Sequence, residues 1–295
     1  MKNYVPFLKL KVNEVGALKA LTPDIAEGLV PFFDLPKQKD GANSEAFKAL
    51  VVKAARSVEN NLKSFYTFFL DNFDVDDSIT IAGENNYAFV IDQFLDLNFI
   101  PVIGLDRPPD RNKLVFDRKR AGKIASDSIA LRLQPEDFAN FLLVKDDIGA
   151  LIDKGSQFFK YWILVLDNRV CTKVKVADRT TQIAQFVAES HKTFKFFSVI
   201  VTGSSIPASI KDIIKVESDT THDRKELVIY SGAIKKLKGI PMVLGDYTVV
   251  SPLYSEFQIP PAVMLNVEAV EKPISHPEMA VKMARDFSRH LHFID

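Results

Sequence analysis

Aspartates recur where runs of apolar residues stop. Asp34 closes Leu29 to Phe33, Asp71 closes Phe65 to Leu70, Asp106 follows Ile100 to Leu105, Asp167 ends Tyr161 to Leu166 and Asp246 follows Pro241 to Gly245. Other polar residues stand at the same kind of position: Lys9 and Lys11, Arg107, Arg132, Arg169, Ser204 with Ser205, and Tyr247. A single aspartate after a strand needs no function, because its side chain caps helices and closes turns. A repeated aspartate accompanied by lysine and arginine asks for more. Carboxylates gathered in a low-dielectric cup repel one another unless cations offset them or protons neutralise them.

Two chemistries suit this set. In the first, Asp34, Asp167 and Asp246 hold Mg²⁺ or Mn²⁺ through hard oxygen ligands, and Lys11, Arg132, Arg169, Ser204, Ser205 and Tyr247 bind a phosphorylated or nucleotide-like substrate. Asp167, Asp246 and Lys9 would then be catalytic in a metal-dependent phosphoester hydrolase or transferase. In the second, acids and bases neutralise each other in a buried ion network that shapes a binding cup or holds the fold closed. The residues leave both open. No nucleophile system competes with them: Ser204-Ser205 reads as a polar turn, and no histidine lies at a strand end. His191 reads as a helix-face residue, His222 as a loop residue, and His290 and His292 as surface residues. The lone Cys171 reads as an inert thiol.

The elements that must position these residues are legible from periodicity. Tyr161-Trp-Ile-Leu-Val-Leu166 does not alternate, as befits a strand buried on both faces in a parallel sheet covered by helices. Val5–Leu10, 29–33, 65–70, 100–105, 129–133, 196–201 and 241–244 are further runs of strand length. Helical stripes lie between them. Phe47, Leu50, Val51, Ala54, Val58 and Leu62 follow a 3.6-residue repeat behind a cap at Ser44. Tyr87 to Leu95, the basic stretch Arg111 to Ser126, a segment capped at Asp146 or Asp147, a segment from about Arg179, and Leu227 to Leu237 supply others. The basic stretch reads as a solvated helix face. Eight strands alternating with helices count out a (β/α)8 barrel of ordinary size, with a doubly wound open sheet as the alternative. The expected domains are a barrel over 1–252 and a C-terminal extension over 253–295, ending in a helix that Ser275-His-Pro-Glu278 opens as a capping box. In such a barrel the strand ends converge on one mouth, where the polar set above would meet.

Composition narrows the partners. In 295 residues, 38 basic side chains balance 38 acidic ones, so no global field draws the chain to nucleic acid or an anionic membrane. No stretch nears the ~20 apolar residues of a spanning helix, and a soluble cytoplasmic protein is expected. One cysteine excludes an intrachain disulfide and a cysteine cluster for zinc.

Several short motifs, taken in order, resemble the bacteriophage Beta protein family. They are Tyr4-Val-Pro-Phe-Leu-Lys-Leu-Lys11 with Glu14, Gly16-Ala-Leu18-Lys-Ala-Leu21 and Pro31-Phe-Phe-Asp34-Leu-Pro36. Further on come Leu166-Asp167, Ser204-Ser205-Ile206-Pro207, Arg224 with Glu226, and Gly245-Asp246-Tyr247. The family pattern leads one to expect Gly-Asp-Tyr-Gly and a later His-Pro, where this chain has Thr248 and Ser251-Pro252. The resemblance implies a phage or prophage component of host–phage conflict, in antiphage defence or immunity. It would act through a co-encoded phage or defence protein or through a small anionic ligand, with Arg224 and Glu226 joining the binding residues.

Overall fold

The computed structural model describes residues 4–38, 43–62, 67–207, 212, 223–248 and 251–253. Its strands are β1 (Tyr4–Lys9), β2 (Phe32–Asp34), β3 (Phe68–Asp71), β4 (Thr80–Ile81), β5 (Glu84–Asn85), β6 (Phe99–Gly104), β7 (Ser128–Leu133), β8 (Tyr161–Val170), β9 (Ser198–Ser204) and β10 (Met242–Asp246). All but the small β4–β5 hairpin form a closed barrel in the order β1-β10-β9-β8-β7-β6-β3-β2, with every pairing parallel. The barrel expectation is therefore met, and the open sheet is set aside by the β1–β10 ladder that joins Tyr4 to Leu244.

The helices are α1 (Val12–Lys19), α2 (Pro23–Glu27), α3 (Ser44–Asn61), α4 (Asn86–Gln93), α5 (Pro109–Arg120), α6 (Phe141–Gly155), α7 (Val176–Phe194) and α8 (Lys225–Lys236). They bury apolar stripes against the outside of the staves. Side chains alternate along each strand, so every stave feeds two cores. Leu164 and Leu166 of β8 join the outer core under the helices, whereas Ile163 and Val165 point into the barrel with Phe7, Phe32, Phe69, Val102, Ala130, Ile200 and Val243. The interior is packed unevenly. Phe7 stacks on Phe32 at 4.1 Å and Phe32 on Phe69 at 5.2 Å, and room for these rings comes from small residues opposite. A Cβ on Gly245 would stand 2.7 Å from Thr202 Cβ and 2.8 Å from Phe7 Cε2. Parity then fixes the next layer toward the mouth: Lys9, Asp34, Asp71, Arg132, Asp167, Thr202 and Tyr247 all point inward.

Several local expectations are corrected. Asn43, not Ser44, caps α3, its Oδ1 accepting from Ala46 N at 3.0 Å. The helix expected to start at Asp146 or Asp147 starts at Phe141, behind an Asn140 cap; exposed Leu142 and Leu143 in its first turn break the apolar stripe. The short helix α2 and the β4–β5 hairpin were not expected. The stretch from Arg111 is only partly a solvated face, because Arg111 itself is buried. The C-terminal helix, His222, His290 and His292 lie outside the described residues. Among the described residues no helix is long and apolar enough to cross a membrane.

Candidate functional site

Arg132, at the mouth end of β7, is the centre of the inward polar layer and is wholly buried. Its Nη1 donates to Asp34 at 2.7 Å and to Asp71 at 2.9 Å, and its Nη2 to Asp167 at 2.6 Å and to Tyr247 Oη at 2.7 Å. These partners come from β2, β3, β8 and the residue after β10, so one guanidinium ties opposite staves together. The Arg132 backbone pairs with Gly104 of β6, where a Cβ would lie 2.5 Å from Asp106 Oδ1 and 2.9 Å from the Arg132 carbonyl. Phe32 lies on one side of the guanidinium, at 5.2 Å, and Phe73 at 4.5 Å.

Charge is matched around this centre. Lys9 of β1 pairs with Asp34 at 3.5 Å and also with Asp74. Asp71 accepts from Arg107 at 3.0 Å and from Arg111 at 2.8 Å. Burial alone would push the Asp34 and Asp71 carboxyls up, but Arg132 and Lys9 on Asp34, and Arg107, Arg111 and Arg132 on Asp71, hold both below the ordinary carboxylate range. Burial raises the Tyr247 phenol well above its usual value despite Arg132. It is therefore a neutral donor, 2.5 Å from Asp167.

Arg111 also completes the barrel wall. Where β3 and β6 part beyond Pro101, the seam is closed by side chains. Tyr87 Oη donates to the Leu70 carbonyl at 2.6 Å and accepts from Val102 N at 3.2 Å, and Arg111 Nη1 donates to the Val102 carbonyl at 3.2 Å. The charged floor and the wall are one structure.

β8 changes direction as it reaches the mouth. The β8–β9 register shifts between Asp167 and Val170, and Arg169 adopts φ +51°. This bulge carries a non-glycine residue in the left-handed region, a costly arrangement found where a side chain has to be aimed. The Asp167 carboxylate steadies it by accepting from Arg169 N at 2.8 Å. The guanidinium reaches across the mouth to Asp74 at 3.3 Å, the Pro252 carbonyl at 3.3 Å and Tyr247 at 3.5 Å.

Asp246 belongs to a different cluster. Even-numbered residues of β10 face the helices, as Leu244 does, and Asp246 accepts from Tyr4 at 3.1 Å and from Arg224 at 2.5 Å. Arg224 also donates to Glu226 at 2.7 Å, and Ser205 donates to the other Glu226 oxygen at 2.5 Å. Burial, reinforced by the Glu226 charge, raises the Asp246 carboxyl against the pull of Arg224.

The polar residues expected at one mouth are thus sorted onto two sides of the wall. Lys9, Asp34, Arg132, Asp167, Arg169 and Tyr247 meet inside, whereas Asp246, Arg224, Glu226 and Ser205 meet outside. Ser204 turns back to its own chain, accepting from Ile206 N at 3.1 Å. Lys11 precedes α1, and its amide donates to the Lys9 carbonyl at 2.8 Å. The Asp34, Asp167 and Asp246 triplet expected for Mg²⁺ or Mn²⁺ does not assemble. Among the described residues no group of three or more His, Cys, Asp or Glu side chains is placed to hold a metal ion. Cys171 is buried, and burial pushes its thiol up to about 12, which makes it inert at neutral pH.

The description "Beta protein" belongs to a family whose profile matches residues 4–266. The chain belongs to the Beta protein family. No curated protein matches it. The family motifs now have places. Tyr4, Ser205, Arg224, Glu226 and Asp246 build the outer cluster that pins α8 to the barrel, while Lys9, Asp34, Asp167 and Tyr247 build the inner one. Where a glycine is expected after Gly245-Asp-Tyr247, Thr248 adopts φ +59°, a conformation that glycine takes without strain. Residues that sequence reasoning did not select also stand in this Beta-family mouth. Phe73 and Asp74 were hidden in an acidic loop and Arg111 in a basic helix; the signal for the first two was the run Asp71-Asn-Phe-Asp74 directly after a strand.

Proposed function

We propose that the barrel mouth is a binding site for a small anionic ligand, in a protein that acts in host–phage conflict. One observation carries the ligand reading: Lys9 of β1 and Arg169 of β8 converge on a single carboxylate, that of Asp74, which belongs to no barrel strand. The inner carboxylates Asp34, Asp71 and Asp167 all accept from Arg132, so the floor is fixed; Lys9 and Arg169 stand over it, 3.5 Å from Asp34 and 4.0 Å from Asp167, and their outer sides define a place for negative charge. A preorganised, largely desolvated pair of cations binds an anion more strongly than the same groups do in water. The setting in phage or prophage biology, beside a co-encoded partner, rests on the family. Hydrolysis or transfer aided by Mg²⁺ or Mn²⁺ gains no support from the side-chain placement.

The test is a thermal-shift series with inorganic phosphate, Mg²⁺ and Mn²⁺. A ligand at a hundred times its Kd adds about 2.7 kcal/mol to native-state stability. Phosphate should raise the melting temperature of the intact chain, and Arg169→Ala should remove that increment. A rise with Mg²⁺ or Mn²⁺ that disappears in Asp167→Asn, with no response to phosphate, would replace this reading by the metal-dependent one.

A further inference from the structure

The group that fills the mouth comes from the protein itself. Phe73 and Asp74 are the two middle residues of a turn closed by Val75 N donating to the Asn72 carbonyl at 3.0 Å. The turn's ends are fixed. Asn72 is buried between Arg111 and Asn86, and Val75 is buried, whereas Phe73 and Asp74 are half-buried. From this turn the Phe73 ring enters a nest of guanidiniums, with the Cζ atoms of Arg107, Arg132 and Arg169 at 4.5, 4.5 and 4.4 Å from its centre. The adjacent carboxylate of Asp74 engages Lys9 and Arg169.

Resting on the anion-site reading above, we propose that Phe73 and Asp74 form a built-in plug that imitates the ligand, and that the ligand is a planar aromatic compound carrying a phosphate or carboxylate. Guanidiniums attract an aromatic face, and a lysine–arginine pair attracts an anion. The plug presents both at the spacing the mouth accepts. Charge supports its removal and replacement. With Asp74 in place, Lys9, Arg107, Arg111, Arg132 and Arg169 are matched by Asp34, Asp71, Asp74, Asp106 and Asp167. When Asp74 swings out, one positive charge is left over, and an incoming anion restores the balance. Because the turn is anchored at Asn72 and Val75, rotation of the two side chains empties the mouth while the barrel keeps its shape.

A plug that occupies the mouth lowers apparent affinity by the fraction of molecules that are open. The experiment compares the intact chain, Phe73→Ala, Asp74→Asn and the double variant by calorimetric titration with phenyl phosphate and with inorganic phosphate, after circular dichroism has verified each fold. Removing the plug should tighten phenyl phosphate by about tenfold or more, as for a mouth open in one molecule in ten, and Arg169→Ala on the double variant should abolish binding. Phenyl phosphate should also bind the Phe73→Ala protein more tightly than inorganic phosphate does; equal affinities would overturn the aromatic assignment. If the intact chain binds phosphate and the folded double variant binds neither probe more tightly, the plug is refuted while the anion site stands. If no folded protein in the series binds either probe, both fall.

Discussion

Asp167 and Asp246 stand on opposite sides of the barrel wall. Asp167 points inward and accepts from Arg132 at 2.6 Å and Tyr247 at 2.5 Å, whereas Asp246 points outward and accepts from Arg224 at 2.5 Å and Tyr4 at 3.1 Å. Their amide variants should therefore behave differently. Asp167→Asn leaves a buried guanidinium short of a counter-charge, which should cost about 3 kcal/mol and weaken phosphate binding at Arg169, whose amide it steadies. Burial and Glu226 raise the Asp246 carboxyl, and Arg224, a quarter exposed, retains Glu226 as a partner. Asp246→Asn should cost about 1 kcal/mol and leave phosphate binding unchanged. Urea unfolding together with the phosphate-induced thermal shift separates the two.

Arg132 is the most consequential single side chain in the mouth. Arg132→Met keeps much of the volume and removes the donors shared by Asp34, Asp71, Asp167 and Tyr247. Removing one partner of a buried ion pair costs about 3–5 kcal/mol, because the remaining charge is left uncompensated. The measurement is the urea midpoint at pH 7 with the slope held in common. A loss under 1 kcal/mol would mean that the carboxylates find other partners.

The staves were legible because parallel strands in a closed barrel are apolar on both faces, and unbroken runs such as 161–166 have few other uses. The mouth was legible as an address, since strand ends are where apolar runs stop. Which side of the wall each end residue faces was not, because facing depends on register, and a one-residue difference at the strand end reverses it. Asp167 and Asp246 both follow apolar runs, yet they face opposite ways. The bulge at Arg169 leaves no composition signal, since left-handed backbone is ordinarily announced by glycine or asparagine. Arg111 looked like its neighbours in a basic helix, and what draws it inward, Asp71, Asn72 and the Val102 carbonyl, lies 9 to 40 residues away in the sequence.

Acid should unfold this protein through the inner ring. Asp34 and Asp71 are both held below the ordinary value of 3.8 in the folded state. A group whose folded pKa is depressed stabilises the native state at pH above its unfolded value and loses that contribution as pH falls toward the folded one. Stability should be flat from neutrality down to about pH 5 and then fall steeply below about pH 4. Asp246 works in the opposite sense, because its raised folded pKa favours the native state as pH falls, and it blunts the loss. In Arg132→Met the fall should be shallower, since Asp34 then keeps only Lys9 and Asp71 only Arg107 and Arg111 to hold them charged. Urea midpoints across this range in the two proteins test both the sign and the difference.

Thr248 offers the reverse case, a place where the chain is less stable than it needs to be. Its φ of +59° puts a β-branched residue in the left-handed region, which costs roughly 1–2 kcal/mol for a side chain with a Cβ. Its amide donates to Asp246 Oδ1 at 2.9 Å, so the conformation is enforced by the outer cluster. Glycine adopts this φ freely and keeps the amide, although it adds freedom to the unfolded chain that offsets part of the gain. Thr248→Gly should therefore stabilise the protein by about 0.5–1 kcal/mol, a rise of about 1–2 °C in Tm for a domain of this size. Thr248→Ala keeps the Cβ and its steric cost, so it should show no such rise. If glycine gives no increase over alanine, the backbone at this position is not strained and the preference for glycine there has another cause.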